Sequence, residues 1–179
     1  MCLRVEKELP SLRRAKVVAV LVECLRESKE RKGFRLVHYS IQHLHLIVEA
    51  GGAGALSSGV RGLSIRIARR LNALLGRKGR VFAERYFARA LKTPREVHNC
   101  LRYVLLNGAK HGAQRGSVYR QGAKDPCSSA RTFDGFRGVV PLPIDEDTSP
   151  VAQARTYLLC KGWKVHGLIS LDDIPGLST

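Results

Sequence analysis

The stretch Gln42-His43-Leu44-His45-Leu46-Ile47-Val48-Glu49 constrains this chain more tightly than any other. As a strand it alternates, so Leu44, Leu46 and Val48 point one way while His43, His45, Ile47 and Glu49 point the other. Two imidazoles then project side by side. A pair at i and i+2 on a strand can present two nitrogens to one divalent ion from a rigid part of the fold. Taken alone, the pair reads as two histidines on a half-buried strand, each satisfied by a hydrogen bond or water. Partners elsewhere in the chain decide between the two.

Downstream the period changes. Leu56, Val60, Leu63, Ile67, Leu71 and Leu74 recur every three or four residues and mark one face of a long helix. Arg61, Arg66, Arg69, Arg70 and Arg77 fall on its other face, and no acid interrupts the series between Leu56 and Val81. A solvated helix face normally mixes signs, so this one is expected to contact phosphates. The chain carries 31 Lys and Arg against 15 Asp and Glu, a formal net charge of +16, and such a balance points to a polyanionic partner.

The remaining elements are read from local signals. Cys2 to Leu9 is expected as a short first strand, and Pro10-Ser11 opens a helix whose apolar positions are Val18, Leu21, Val22 and Leu25, closed by Arg31-Lys32-Gly33. Phe34 to Ser40 forms a hairpin with the His43 strand across a very tight connection, and Gly51-Gly52-Ala53-Gly54 ends it. Gly76 to Gly79 is a turn, and Val81 to Leu91 reads as a long strand carrying Arg85 and Arg89. Thr93-Pro94-Arg95-Glu96 is a helix start, with Thr as cap and Pro at the first position. In that helix Val97, Leu101, Val104 and Leu105 point inward, and Tyr103, Asn107 and His111 share a neighbouring stripe. Residues 1–112 therefore form one unit. Residues 113–150, rich in Gly, Ser, Pro and Asp, are expected as a loop or partly disordered arm, and 151–179 as a short helix (Val151 to Leu159) and tail anchored by Trp163.

The five cysteines are scattered, odd in number and without a C-x-x-C pair, which suggests neither a zinc ribbon nor a disulfide framework. They read as reduced thiols of a cytoplasmic protein, and the apolar run Val17 to Val22 is too short to span a bilayer.

The order strand, helix, strand, strand, helix, strand, helix predicts an α+β fold: a ferredoxin-like split β-α-β antiparallel sheet with helices on one face plus an added C-terminal catalytic helix. A His-x-His on a central strand can face that added helix, which carries Tyr103 and Asn107. A phenol with a pKa near ~10 is a poor nucleophile at neutral pH, so a divalent ion beside it is its natural complement for phosphoryl chemistry.

His43-Leu44-His45 between apolar strand residues, the Arg-rich helix, Gly79-Arg80-Val81-Phe82-Ala83-Glu84-Arg85-Tyr86-Phe87 and Leu101-Arg102-Tyr103-Val104-Leu105-Leu106-Asn107 together resemble the single-tyrosine HUH endonucleases, in particular the transposase-like proteins associated with REP palindromes. The resemblance covers roughly residues 1–115, and more weakly the Trp163-to-Gly167 tail. It implies that His43 and His45 ligate Mg²⁺ or Mn²⁺, that Tyr103 is the nucleophile and that Asn107 is the third ligand, with His111 a substitute. It further implies nicking and strand transfer on single-stranded or hairpin DNA through a 5′-phosphotyrosine, by a monomer or homodimer. Arg61, Arg66, Arg69, Arg70, Arg77, Lys78, Arg85 and Arg89 are the expected DNA contacts. The family has an Asn directly before the His pair and a longer hairpin turn. This chain has Ser40-Ile41-Gln42 there and is about two residues shorter, an even-numbered change that preserves the facing of the strand.

Two alternatives belong beside this one. A catalytically inactive nucleic-acid-binding protein on the same scaffold uses the basic face equally well but leaves His43, His45, Tyr103 and Asn107 unexplained. A histidine-triad nucleotide hydrolase needs a third alternating histidine, and position 47 is Ile. Of the other tyrosines, Tyr39 and Tyr86 read as packing residues, and Tyr119 and Tyr157 lack nearby ligands. His38 and His98 read as structural or surface residues.

Overall fold

The computed structural model describes residues 1–114, with side chains through 110, together with 123–143 and 145–173. The side chain of His111 and the whole of Tyr119 lie outside the described residues. Four antiparallel strands, β1 (Cys2–Leu3), β2 (Glu30–Arg31), β3 (Phe34–Ile41) and β4 (Leu44–Ala50), form a sheet in the order β1-β4-β3-β2. The fold is α+β, and its sheet is compatible with a ferredoxin-like arrangement.

The alternation read in β4 sorts its residues between two cores. Leu44 and Leu46 enter a cluster with Leu36, Tyr39 and Ile41 of β3, under Val17, Leu21 and Leu25 of α1 (Ala15–Ser28) and Val60, Leu63, Ile67 and Leu71 of α2 (Ala53–Leu74). Ile47 points the other way, into a second cluster with Val97, Leu101, Val104 and Leu105 of α3 (Pro94–Leu105). An extra residue, Val37, is accommodated between the pairs Leu36↔Val48 and His38↔Ile47. That bulge keeps Tyr39 and Ile41 on the face of Phe34 and Leu36. Where α2 crosses β3 it carries Gly59, and a Cβ there would collide with the Phe34 ring.

Several boundaries differ from expectation. β1 is only two residues long, and α1 begins at Ala15 after a turn at Pro10–Arg14. Arg31-Lys32-Gly33 does not stop the helix; Lys32 and Gly33 form the β2–β3 turn, with Gly33 at φ 73°. Val81 to Leu91 is not a continuous strand. It meets the N-terminal segment through two bridges, Cys2↔Phe87 and Val5↔Phe82, in which five steps on one segment oppose three on the other. That register slip prevents a ladder from propagating.

α3 starts as its sequence indicates. Thr93 Oγ1 accepts from Glu96 N at 3.2 Å, Glu96 Oε2 accepts from Thr93 N at 3.2 Å, and Pro94 needs no donor in the first turn. A cap of this kind stabilises a helix by about 1 kcal/mol. The helix does not run on to His111. It ends at Leu105, and Asn107 opens a separate helix, α4 (Asn107–Gln114). The break falls at Leu106, the C-cap of α3 at φ −103° and ψ 7°, and α4 then opens on Asn107-Gly108, two poor helix formers, where Gly108 lies so close to Asp125 that a Cβ would collide with its carboxylate.

Beyond α4 the described stretches 123–143 and 145–150 have little regular structure, apart from a 3₁₀ turn at Ser129–Arg131, but they are packed. Phe133 and Phe136 meet Trp163 in the second core, and Trp163 Nε1 donates to Leu159 O at 3.0 Å. The Arg13 guanidinium clasps the buried Asp125 carboxylate at 2.6 and 2.9 Å, holding this layer to the start of α1. The helix expected over Val151 to Leu159 is shorter, α5 (Tyr157–Cys160), followed by a 3₁₀ turn at Gly162–His166. Its start is set by the Glu49 carboxylate, which accepts from the backbone N–H groups of Arg155 and Thr156 and so draws the preceding residues out extended. Among the described residues no helix is long and apolar enough to cross a membrane.

Candidate active site

The helix α3 lies across the sheet face that β4 turns towards it, and its exposed edge brings Tyr103 against His45. Their ring centroids are 5.2 Å apart at 84°, an edge-to-face contact. His45 in turn meets His43 at 6.1 Å and 90°. These three rings form one chain. His43, however, is not on the strand. The pair Ile41↔Leu44 closes the hairpin, so Gln42 and His43 are its two turn residues, and His45 N donates to His43 O at 2.8 Å. The two-residue connection between β3 and β4 puts the first histidine in the turn, while the second stands on the strand, on the face of α3.

Tyr103 is 36% exposed, open enough to meet a macromolecular substrate. Burial pushes its phenol above the ordinary value of 10.0, and the Cys2 and Cys100 thiols add to that push. Cys100 lies one helical turn before the tyrosine, as the sequence indicates, and Lys110 Nζ lies 5.7 Å from the Tyr103 ring centroid; Cys2 is the neighbour that the sequence hides. Cys2 arrives by pairing with His45 across β1 and β4, a long-range register that no local signal encodes.

Asn107 was expected one turn beyond Tyr103 on a shared stripe. Instead it follows the helix break and is wholly buried, at 0% exposure. Neither its amide nitrogen nor its amide oxygen has a hydrogen-bond partner among the described residues. A buried amide left so costs free energy and calls for an explanation. Two imidazoles and an amide oxygen would make a mixed N/O set of the kind a hard-to-borderline divalent ion accepts, but the contacts of the site join only His43, His45 and Tyr103, and Asn107 lies buried beyond the helix break. Among the described residues no group of three or more His, Cys, Asp or Glu side chains is arranged to hold a metal ion.

The expected DNA-contacting cations divide into two sets. Arg66 and Arg70 face α1, where Glu27 takes one guanidinium on each oxygen at 2.6 and 2.7 Å and Arg66 Nε donates to Ser28 Oγ at 3.0 Å. They clamp α2 to α1. Arg77 donates to Arg80 O at 3.1 Å, and Arg89 pairs with Glu96. Arg61, Arg69, Lys78 and Arg85 are exposed and make no ion pair among the described residues. Lys92 and Arg95, flanking the start of α3, are exposed as well.

Tyr39 is buried in the first core, its phenol pushed up to about 12 chiefly by burial, and Tyr86 packs at the edge of the same core. Tyr157 is exposed, away from the three rings. His98 stacks between Trp163 and His166. No protein-family model, curated protein or solved structure matches this chain.

Proposed function

We propose that this protein nicks and rejoins single-stranded DNA, with Tyr103 as nucleophile. The observation that carries this reading is the edge contact between Tyr103 and His45, which brings the two motifs of the sequence together on the α3 side of the sheet. The order of the sheet, with the 81–87 segment alongside β1, follows the ferredoxin-like β-α-β-β-α-β path, and α3 is the helix added to its free face.

In the first step the Tyr103 oxygen attacks a backbone phosphorus. The O–P bond to tyrosine forms, the bond to the 3′-oxygen breaks, the phenolic proton is released and the departing 3′-oxygen takes one up. The phosphotyrosine keeps the energy of the broken ester, so the reverse attack by a 3′-hydroxyl rejoins strands without a nucleotide cofactor. His43, His45 and Asn107 would hold Mg²⁺ or Mn²⁺, which when bound polarises the phosphoryl group and neutralises developing charge. His45 fixes the ring of Tyr103 from its edge, Lys110 offers a cation beside the tyrosine, and Arg61, Arg69, Lys78 and Arg85 provide phosphate contacts.

A second reading, a nucleic-acid-binding protein that no longer cleaves, is favoured by the placement of His43 in the hairpin turn. One experiment separates the two. Wild-type protein with Mn²⁺ and a labelled hairpin oligonucleotide should form an adduct that survives denaturant, and Tyr103→Phe, which removes one oxygen from a half-exposed ring, should bind DNA equally and form none. An adduct that persists in Tyr103→Phe assigns the nucleophile elsewhere; affinity without an adduct in the wild type selects the binding protein.

A further inference from the structure

We infer that Phe87 is a stacking platform for an unpaired nucleobase next to the attacked phosphate, which makes the substrate a strand whose nucleotide at the cleavage point is extrahelical. This rests on the reading of Tyr103 as the nucleophile.

The inference comes from one rung of the sheet. Cys2 is paired with His45 on one side and with Phe87 on the other, the second pair being closed by both backbone hydrogen bonds, Cys2 N to Phe87 O at 2.8 Å and Phe87 N to Cys2 O at 3.1 Å. Residues directly opposite across antiparallel strands share a face. Phe87 therefore stands on the face of His45 and Tyr103, two strand spacings or about 10 Å along the rung from His45. The neighbouring residues agree, because Tyr86 and Phe82 pack into the first core, on the opposite face.

Single exposed apolar side chains are common on protein surfaces. Phe87 differs in degree and in place. At 73% exposure it is the most exposed aromatic side chain among the described residues, and it stands on the same rung as the histidine that touches Tyr103. The stretch of chain that follows and flanks it, 85–95, carries more exposed cations than acids. Arg85, two residues before it, Lys92 and Arg95 are exposed, whereas Glu96 is committed to the cap of α3 and to Arg89. An exposed aromatic ring amid unpaired cations is the chemistry that holds single strands, with the cations on the backbone and the ring under a base. A base inside a duplex has no free face to offer, so the ring selects a strand that is open at this point.

The test uses the full chain as wild type, Phe87→Ala and Phe87→Trp, against a hairpin DNA with a single-stranded 5′ flank and the same hairpin with its flank paired. 2-Aminopurine is walked through the flank, since its emission falls on stacking. The wild type should prefer the unpaired flank and quench the probe at one position. Phe87→Ala should lose about tenfold in affinity for the unpaired flank only, together with the quenching, and Phe87→Trp should retain both. Melting temperatures unchanged from wild type verify the fold of each variant. Unchanged affinity and emission in Phe87→Ala, with the covalent adduct still formed, overturns the platform alone. A wild type that forms no adduct on either hairpin overturns the nucleophile reading on which the platform rests.

Discussion

Replacing Asn107 with Leu should stabilise this protein and disable it in one step. The side chain is wholly buried, and neither amide atom has a hydrogen-bond partner among the described residues. Each such group costs about 1–3 kcal/mol relative to a satisfied one. Leu removes both penalties, and fitting its branched end where a planar amide sat returns about 1–3 kcal/mol as overpacking. At the middle of each range the net gain is about 2 kcal/mol, which for a chain of this length raises the melting temperature by about 4–8 °C in buffer with chelator. With Mn²⁺ the order changes. A ligand that binds only the folded wild type adds about 2.7 kcal/mol at a hundred times its Kd, and Asn107→Leu should gain nothing. The variant should also fail to form the covalent adduct. Thermal melts of both proteins with chelator and across a Mn²⁺ titration read every term. A metal-free Asn107→Leu protein that melts below the wild type would refute the reasoning, because it would mean that the amide holds the fold together rather than waiting for a ligand.

Three further outcomes are expected. His38, edge-on to Phe133 and beside Ser129 Oγ, has its pKa lowered to about 4 by burial, with Asp134 pulling weakly the other way; the unfolded chain takes up this proton first, so stability should fall as pH drops from about 6.5 to about 4, by at most about 3 kcal/mol, and urea titrations of His38→Gln should lack that component. Asp125→Ala leaves the Arg13 guanidinium without its carboxylate and Cys127 N without its acceptor, so it should cost about 3 kcal/mol, and a loss under about 1 kcal/mol would show that the clasp does not hold the C-terminal layer. Charge reversal at Arg61 and Arg69 should weaken single-strand binding and reduce its salt slope by about 0.7 per site, whereas reversal at Arg66 and Arg70 should chiefly lower stability by releasing Glu27; equal effects on binding would remove that division.

What the sequence revealed and what it hid divide along the range of the forces involved. The two faces of β4 from Leu44 on, the α2 stripe from Val60 to Leu71 and the Thr93 to Glu96 helix start are set by neighbours within a few residues and are present in the structure, whereas Leu74 at the end of the expected stripe is exposed. Long-range pairing set the rest. Val81 to Leu91 has the composition of a strand, but its partner is the short N-terminal segment, and the register slips between their two bridges. The Arg66 and Arg70 side chains looked free on a helical wheel, and only the crossing of α1 over α2 shows Glu27 waiting for them. The stripe joining Tyr103 to Asn107 assumed one continuous helix; α3 stops at Leu105, and a new helix opens at Asn107, where Gly108 meets Asp125.

The hairpin between β3 and β4 is where sequence and structure bear most directly on function. Strand periodicity places His43 and His45 together, and pairing of Ile41 with Leu44 converts the first into a turn residue. Because side chains alternate with period two, the register of β4 fixes the facing of His45, which meets Tyr103. His43 is held by the two-residue turn rather than by the ladder. Its ring nevertheless lies edge-on to His45 at 6.1 Å, so the two imidazoles meet across different backbone settings. The half of the site built on β4 and α3 is therefore determined by core packing on both sides of the sheet, and the half at the turn by local geometry alone. The rate of strand cleavage should accordingly respond to lengthening of the turn, while DNA affinity, which draws on α2 and the 81–95 segment, should not.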